Sequence, residues 1–200
     1  MSEKPLKAYH VGEGGEGEHV IVFATSGAAA RRKGGNELDL EFSEVEFCRR
    51  APWADEFAGQ GFIPAKAYHE AGWWLYCNHC EAQLYEDAED DDGNRLQIAY
   101  DGRHAYCDKA CKEARVAEIA EANAKGEAFK AQVLAARPDL TFTKWSIGWP
   151  FITQYAEFTF PGCQHGGSVR DQDGDGDLAW YVANGDKDAW AEYEAGRKAA

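Results

Sequence analysis

The sequence predicts an α+β protein built from three successive segments. Residues 1–52 have the pattern of strands and a helix in the order β-β-α-β. Residues 53–138 hold two closely spaced cysteine pairs, followed by a long alanine-rich stretch with helical periodicity. Residues 139–200 return to strand-like segments, which we expect to pair antiparallel, and end in a short helix. This mixture of strands and helices is typical of the α+β class.

The N-terminal segment is predicted to form a small sheet with one helix. Strand patterns occupy residues 6–11, 19–24 and 44–49, and the middle one is apolar enough to be buried on both faces. Thr25 or Ser26 can cap a short helix over residues 28–33. Gly34 and Gly35, which follow directly, are predicted to end that helix.

Two cysteine pairs dominate the middle segment. Two residues separate Cys77 from Cys80, and three separate Cys107 from Cys111. Each short spacing bends the backbone so that two sulfurs face one point, and four thiolates match the tetrahedral shell of zinc. Because four cysteines close that shell, the predicted ion is structural rather than catalytic. The alternatives are two unrelated pairs of buried cysteines, or a redox-active Cys-x-x-Cys.

Cys107 begins the longest predicted helix. At positions i and i+4, Cys107 and Cys111 would lie on one helical face, and the positive end of the helix dipole would favour their thiolates. Apolar residues recur at helical spacing as far as Pro138, which ends the helix. Gly126 is the position at which an interruption is expected.

An aromatic strand and an acidic loop flank the first pair. Residues 73–76 read Trp-Trp-Leu-Tyr, a strand that would deliver Cys77 into a tight turn. Six of the seven residues 86–92 are acidic and cannot pack in a core. They are predicted to form the tip of a hairpin that joins residues 81–85 to 96–100. The tip is either a solvated loop or an acidic surface that imitates phosphates or binds a basic protein.

Residues 106–112, Tyr-Cys-Asp-Lys-Ala-Cys-Lys, resemble the second half of a known zinc finger. Together with the upstream Cys-x-x-Cys they are similar to the small treble-clef fingers whose second pair reads YCS-x-x-C. The resemblance covers residues 73–115, with Asp108 in place of the usual serine and a longer spacer between the pairs. It implies a structural zinc ion and no particular activity, because such fingers serve DNA binding, RNA binding and protein docking.

The first quarter of the chain resembles small uncharacterised proteins of bacteriophages and prophages. The shared features are Lys-Ala-Tyr at 7–9, Ile-Val-Phe-Ala-Thr at 21–25 and Arg-Arg-Ala-Pro at 49–52. The resemblance implies a viral or mobile-element origin and no mechanism.

A weak calcium site is predicted between two C-terminal strands. Asp171, Asp173, Asp175 and Asp177 occupy the alternate positions one to seven of an EF-hand loop. Position twelve falls on Val182, where a bidentate glutamate is needed. The alternative is an acidic hairpin turn.

The remaining C-terminal elements are predicted from the same patterns. Strands are expected at 140–145, 155–160 and 179–182, and a helix at 186–198. Cys163 and His165 lie between them, and with Cys48 they could be imagined as a second metal site. A Cys-x-His pair is thin support for that, so a free thiol on a loop is the preferred interpretation.

Composition narrows the class of partner. The formal net charge of −14 disfavours nucleic-acid binding, which depends on lysine and arginine neutralising phosphates, and favours basic protein partners. The sequence has no apolar run of the length that a membrane span needs and no signal-peptide pattern at its first residues, so we expect a cytoplasmic protein, within the host cell if phage-encoded.

Three hypotheses of function follow. The first is a non-enzymatic, zinc-stabilised acidic protein that binds or inhibits a basic host or defence protein. The second is a nucleic-acid-binding zinc finger in which Trp73, Trp74 and Tyr106 stack on bases. The third is a small enzyme whose acidic clusters hold a catalytic divalent metal.

Overall fold

The structure, a computed structural model, describes residues 4–15, 17–89, 92–172, 174 and 176–199. The chain has a mixed α+β architecture with several small antiparallel sheets and a long helix. It divides into two compact units, Met1–Lys112 and Glu113–Ala200. The division into three segments stays a prediction.

The first unit begins with a three-stranded antiparallel sheet and one helix. The strands are β1 (Lys7–Gly12), β2 (His19–Ala24) and β3 (Phe47–Arg50), in the spatial order β2-β1-β3. Helix α1 (Gly27–Glu37) lies between β2 and β3 in sequence, which is the predicted β-β-α-β order. Apolar residues of the sheet and of α1 form one buried cluster, which includes Val11, Val22, Ala30 and Val45.

Helix α1 starts where predicted but ends later. The hydroxyl of Ser26 accepts a hydrogen bond from the backbone N–H of Ala29, so Ser26 is the cap. Gly34 and Gly35 do not end the helix; they lie inside it and are buried. A Cβ at Gly34 would stand 2.6 Å from the side chain of Val11, so the missing side chain lets the helix approach the sheet.

Short elements complete the first unit. A 3₁₀ helix spans Pro52–Phe57, helix α2 spans Ala65–Glu70, and four short strands follow: β4 (Leu75–Tyr76), β5 (Gln83–Leu84), β6 (Ala99–Asp101) and β7 (His104–Tyr106).

Residues 81–85 and 96–100 were predicted to pair with each other, but their strands pair elsewhere; nearer the tip of the acidic loop, Glu89 and Arg95 do form an antiparallel bridge. Strand β5 pairs with β4 across the turn that carries the first cysteine pair, and β6 pairs with β7. The second hairpin turns at Gly102-Arg103, between the paired residues Asp101 and His104, and Gly102 has a positive φ of 53°. A two-residue loop that begins with a glycine at positive φ is a favoured hairpin turn, and it spans fewer residues than the predicted acidic turn.

The second unit is a four-stranded antiparallel sheet with two helices. Helix α3 (Lys109–Ala136) contains the boundary between the units, and the later elements are β8 (Thr141–Ser146), β9 (Tyr155–Thr159), β10 (Gly167–Asp171), β11 (Leu178–Val182) and α4 (Lys187–Ala199). The sheet has the order β11-β10-β9-β8. Phe129 and Val133 of α3 pack on Ala156 of β9 and Val169 of β10.

Gly126 does not interrupt α3, which is continuous through this position. Gly126 is buried, and a Cβ there would stand 2.4 Å from the backbone nitrogen of Gly148. The side chain of Asn123 accepts a hydrogen bond of 3.0 Å from the backbone N–H of Trp149. The glycine is therefore a notch that admits the loop after β8.

Candidate metal centre

The turn between β4 and β5 presents the first cysteine pair. The backbone N–H of Cys77 donates to the carbonyl of Ala82 at 2.8 Å, and that of Glu81 donates to the carbonyl of Cys77 at 3.0 Å. Glu81 has a positive φ of 62°, which closes this tight knuckle. The N–H of Asn78 donates to the carbonyl of Ala105 at 2.8 Å and so ties the knuckle to β7.

The second pair lies at the junction of β7 and α3. Helix α3 begins at Lys109 and not at Cys107, so Cys107 precedes the helix and Cys111 lies in its first turn. The carboxylate of Asp108 accepts a hydrogen bond of 2.8 Å from the backbone N–H of Cys111. Asp108 thus acts as an N-cap, which aspartate favours, and this cap sets the start of the helix.

The four sulfurs converge. The ligand atoms of Cys77, Cys80, Cys107 and Cys111 all lie within 4.8 Å of one another. The Sγ of Cys80 is 3.4 Å from that of Cys107 and 4.0 Å from that of Cys111. A tetrahedral ion with metal–sulfur bonds near 2.3 Å needs sulfurs about 3.8 Å apart. The cluster therefore has the size that such an ion requires.

Electrostatics within the cluster favour a cation. Burial raises the pKa of Cys77, but the backbone N–H groups of Cys80, Cys107 and His79 outweigh burial and lower this pKa to about 6. Burial and the neighbouring sulfurs raise the pKa of Cys107, and they raise that of Cys111 to about 11. Cys77 thus ionises readily, whereas its neighbours resist ionisation because a second negative charge would be repelled. A divalent cation removes that repulsion.

The cluster is part of a small apolar core. Cys77 is buried, as are Leu84 of β5 and Ala105 and Tyr106 of β7. Cys80 is exposed at the rim. His79 is outside the converging group and contributes its backbone N–H to Cys77. Among the described residues, the four cysteines are the one group of at least three Cys, His, Asp or Glu side chains that lie close enough together to share a metal ion.

The thiols of the imagined second site have other partners. The Sγ of Cys48 donates a hydrogen bond of 3.4 Å to the carbonyl of Gly27. The Sγ of Cys163 accepts one of 3.4 Å from the backbone N–H of Phe160. His165 is exposed, and its backbone N–H donates to Asp186. These contacts are typical of structural thiols and a loop histidine.

The predicted calcium loop joins β10 to β11. The carboxylate of Asp171 accepts hydrogen bonds from the backbone N–H groups of Gly174 (3.0 Å) and Gly176 (3.3 Å). Asp173 and Asp175 lie outside the described residues, and Asp177 precedes β11. Calcium binding by this turn stays a prediction.

Sequence reasoning found the four cysteines that converge but missed the residues that position them. The capping role of Asp108 was readable, because an aspartate two residues before a long alanine-rich stretch is a helix-start signal. Among the described helices, none is both long and apolar enough to cross a bilayer. Comparison with models of known protein families, with curated proteins and with solved structures gives no match.

Proposed function

We propose that this chain is a non-enzymatic, zinc-stabilised acidic protein that binds a basic partner protein. The observation that carries the proposal is the convergence of four cysteine sulfurs, from a knuckle and a helix start, within 4.8 Å. Thiolate sets of this kind select zinc among the common cellular ions. A knuckle followed by a capped helix supports a treble-clef finger.

The closed ligand set assigns the ion a structural role. Four cysteines fill a tetrahedral shell, whereas catalytic zinc keeps one position for water or substrate. Strands β4 and β5 have two residues each, and β6 and β7 three each. Isolated hairpins of this size are not stable in water. The ion would therefore supply the free energy that holds this part of the first unit together.

Charge supports a basic partner. The net charge is −14, and several of the cationic side chains are engaged within the chain. Arg50 pairs with Asp55 at 2.6 Å, and Arg137 pairs with both Asp139 (2.7 Å) and Glu194 (2.8 Å). These arginines are engaged within the chain, and the acidic excess of the whole sequence remains to attract positive charge.

The nucleic-acid alternative has less support. Tyr106 is 4% exposed, so its ring cannot stack on a base in this conformation. Trp73 is half-buried against the core that contains Ala54 and Ile63. Of the three aromatics proposed for stacking, Trp74 alone is largely exposed, and the net charge repels phosphates.

The resemblance of the first quarter to phage and prophage proteins supports a mobile-element origin. The partner would then be a basic host or defence protein in the host cytoplasm, and the chain would inhibit it by occupying a surface that normally binds an acidic ligand.

Elemental analysis tests the metal. We expect one zinc ion per wild-type chain, because four sulfurs form one closed shell. Cys77→Ser and Cys107→Ser should lose the ion, while the matched control Cys163→Ser, outside the cluster, should retain it. Since the first two variants could also fail to fold, cobalt(II) is titrated into metal-free wild type. The intense thiolate spectrum of a tetrahedral site is expected, and its absence would contradict the proposal.

Binding of an arginine-rich peptide tests the partner class. A labelled peptide of alternating arginine and glycine should bind the wild type at low ionic strength. Binding should weaken as salt is added, because exposed charges are screened. A peptide that fails to bind even at low ionic strength would overturn the assignment of a basic partner.

A further inference from the structure

The outer face of the β4–β5 hairpin carries a cluster of exposed aromatic side chains. Trp74 is 48% exposed, Tyr76 54% and Tyr85 45%. Single exposed aromatics are ordinary on protein surfaces, but adjoining ones mark interaction sites. The rings of Trp74 and Tyr76 are 4.9 Å apart in a T-shaped contact, and those of Trp74 and Tyr85 are 6.4 Å apart.

Strand alternation explains why these rings point outward. Leu75 pairs with Leu84, which is fully buried in the core around the cysteines. Neighbouring positions along a strand point to the opposite face. Tyr76 and its cross-strand partner Gln83 are accordingly exposed, and Trp74 and Tyr85 continue the same face.

Gln83 fixes the positions of the two tyrosines. Its amide nitrogen donates to the hydroxyl of Tyr76 at 3.4 Å, and the hydroxyl of Tyr85 donates to its amide oxygen at 2.7 Å. Side chains already held in place lose less entropy when a partner binds. The aromatic face is therefore preorganised.

Arginines of the chain lie over three other exposed rings, those of Phe42, Trp149 and Tyr181, although among the described residues none lies over Phe151. The guanidinium of Arg115 lies 4.1 Å from the ring of Trp149, and that of Arg170 lies 4.5 Å from Tyr181. Among the described residues, no arginine or lysine lies over the three rings of the hairpin face. Cations are attracted to such ring faces.

The charge next to this face is complementary to a cation. Glu86 and Asp87 follow Tyr85 directly and are exposed. Residues 74–95 contain seven acidic side chains and one arginine. That one, Arg95, donates to the backbone carbonyl of Glu86 at 2.7 Å. Aromatic faces beside carboxylates suit the guanidinium group, which stacks on rings and pairs with acids.

We propose that Trp74, Tyr76 and Tyr85, together with Glu86 and Asp87, are the docking face for an arginine-bearing segment of the basic partner protein. The inference rests on the proposed function and specifies which part of the acidic protein makes the contact. Arginine side chains of the partner would occupy the ring faces, and the carboxylates would pair with their guanidinium groups.

The labelled arginine–glycine peptide tests the aromatic part. Trp74→Ala should weaken its binding about tenfold, the size of a partly desolvated cation–π contact. Trp149→Ala is the matched control, because Trp149 is a similarly exposed tryptophan, at 45%, whose ring Arg115 covers. This control should bind as the wild type does. Retention of zinc by both variants shows that the knuckle is intact.

Two double variants that change the net charge equally test the contribution of Glu86 and Asp87. The double variant Glu86→Gln/Asp87→Asn should weaken peptide binding and reduce its dependence on salt. The double variant Glu127→Gln/Glu192→Gln changes the net charge equally at exposed positions of α3 and α4 and should have a smaller effect. Equal effects would mean that the net charge alone attracts the peptide, which overturns the proposed face.

The outcomes separate this inference from the function on which it rests. Salt-sensitive peptide binding that Trp74→Ala does not weaken would overturn the docking face and leave the proposed function standing. No peptide binding to the wild type would overturn both. Binding of a single-stranded oligothymidylate that Trp74→Ala abolishes would also overturn the inference, because the face would then serve nucleic acid.

Discussion

Asp186 shows what one carboxylate can organise. It is buried at 2% exposure, and its two oxygens accept three hydrogen bonds, from the backbone N–H groups of Gln164 (2.9 Å), His165 (2.6 Å) and Gly166 (2.6 Å). These donors, Gln164 foremost, hold the pKa of Asp186 below its usual range. The loop before β10 is thereby fixed to the segment before α4.

Asp186→Asn should lower the melting temperature, because an amide offers one acceptor oxygen and turns an N–H₂ group toward a backbone donor. The stabilisation by Asp186 is present above its unfolded pKa of about 4 and is lost as the pH falls through the lower folded value. The variant should therefore lose less stability than the wild type on acidification. Thermal unfolding across acidic pH measures both effects.

Glu192→Gln, which removes one exposed charge from α4, is the control. A melting temperature of Asp186→Asn equal to that of this control would contradict the assigned role.

At the residue scale, the four converging cysteines could be predicted from the sequence, but the residues that position them were not predicted. The cysteine pairs were legible because few residue types can serve as soft ligands and their spacing is constrained. Asp108 stands at a recognisable helix start, but nothing in the local sequence around Asp186 indicates its role. The partners of Asp186 lie about twenty residues away, so its role depends on tertiary structure.

At the scale of elements, the notch in α3 sets how closely the loop after β8 approaches. An alanine is favoured over glycine in helices by about 1 kcal/mol. At Gly126 that gain is opposed by contact with the backbone at Gly148 and Ile147, which cannot rotate away as a side chain could.

Gly126→Ala should therefore destabilise the protein, by about 1–3 kcal/mol as is typical of overpacking. Gly196→Ala in α4, where nothing lies within 4 Å of the added Cβ, should instead be neutral or stabilising. Denaturant unfolding of the two variants measures the opposite signs. A stabilised Gly126→Ala would show that the loop yields easily.

The elements themselves were predicted unevenly, for physical reasons. Strands β1, β2, β8, β9 and β11 carry enough β-branched and aromatic residues to be recognised. Strand β10 begins with a glycine and is flanked by turn residues, so its pattern was too short to read. The glycine residues Gly34 and Gly126 predict a helix end and an interruption, whereas in the structure they lie inside helices at close packing contacts.

At the scale of the whole molecule, the cores of the two units differ in what holds them. The cluster around the four cysteines combines short strands with converging cysteine sulfurs. The clusters of the second unit draw on long strands and large aromatics such as Phe158 and Trp190. Metal binding can thus determine the stability of the first core and have no part in the packing of the second.

Metal removal by a chelator should expose this difference in hydrogen exchange. Amides of β4 to β7 are expected to lose protection, because their hairpins are too short to persist without the ion. Amides of β8 to β11 serve as the internal reference and should keep theirs. If exchange is unchanged in both sets after zinc loss is confirmed, metal binding by the cysteine cluster does not stabilise strands β4 to β7.

Pairing between distant segments set the limit of prediction at this scale. The antiparallel class of the sheets followed from the strand patterns. The position of the β4–β5 hairpin against β7 depends on the hydrogen bond from the backbone N–H of Asn78 to the carbonyl of Ala105, which joins segments far apart in sequence. Long-range contacts of this kind have no local signature in a single sequence.

The exposure of Cys80 at the rim also makes the cluster sensitive to oxidants. Its sulfur is accessible, and the sulfur of Cys107 is 3.4 Å away. Two-electron oxidation by a peroxide would join these sulfurs as a disulfide, with the peroxide reduced to water, and would remove two of the four ligands at once. Oxidation would then release a metal ion bound by the four cysteines and loosen the hairpin that carries the exposed aromatics.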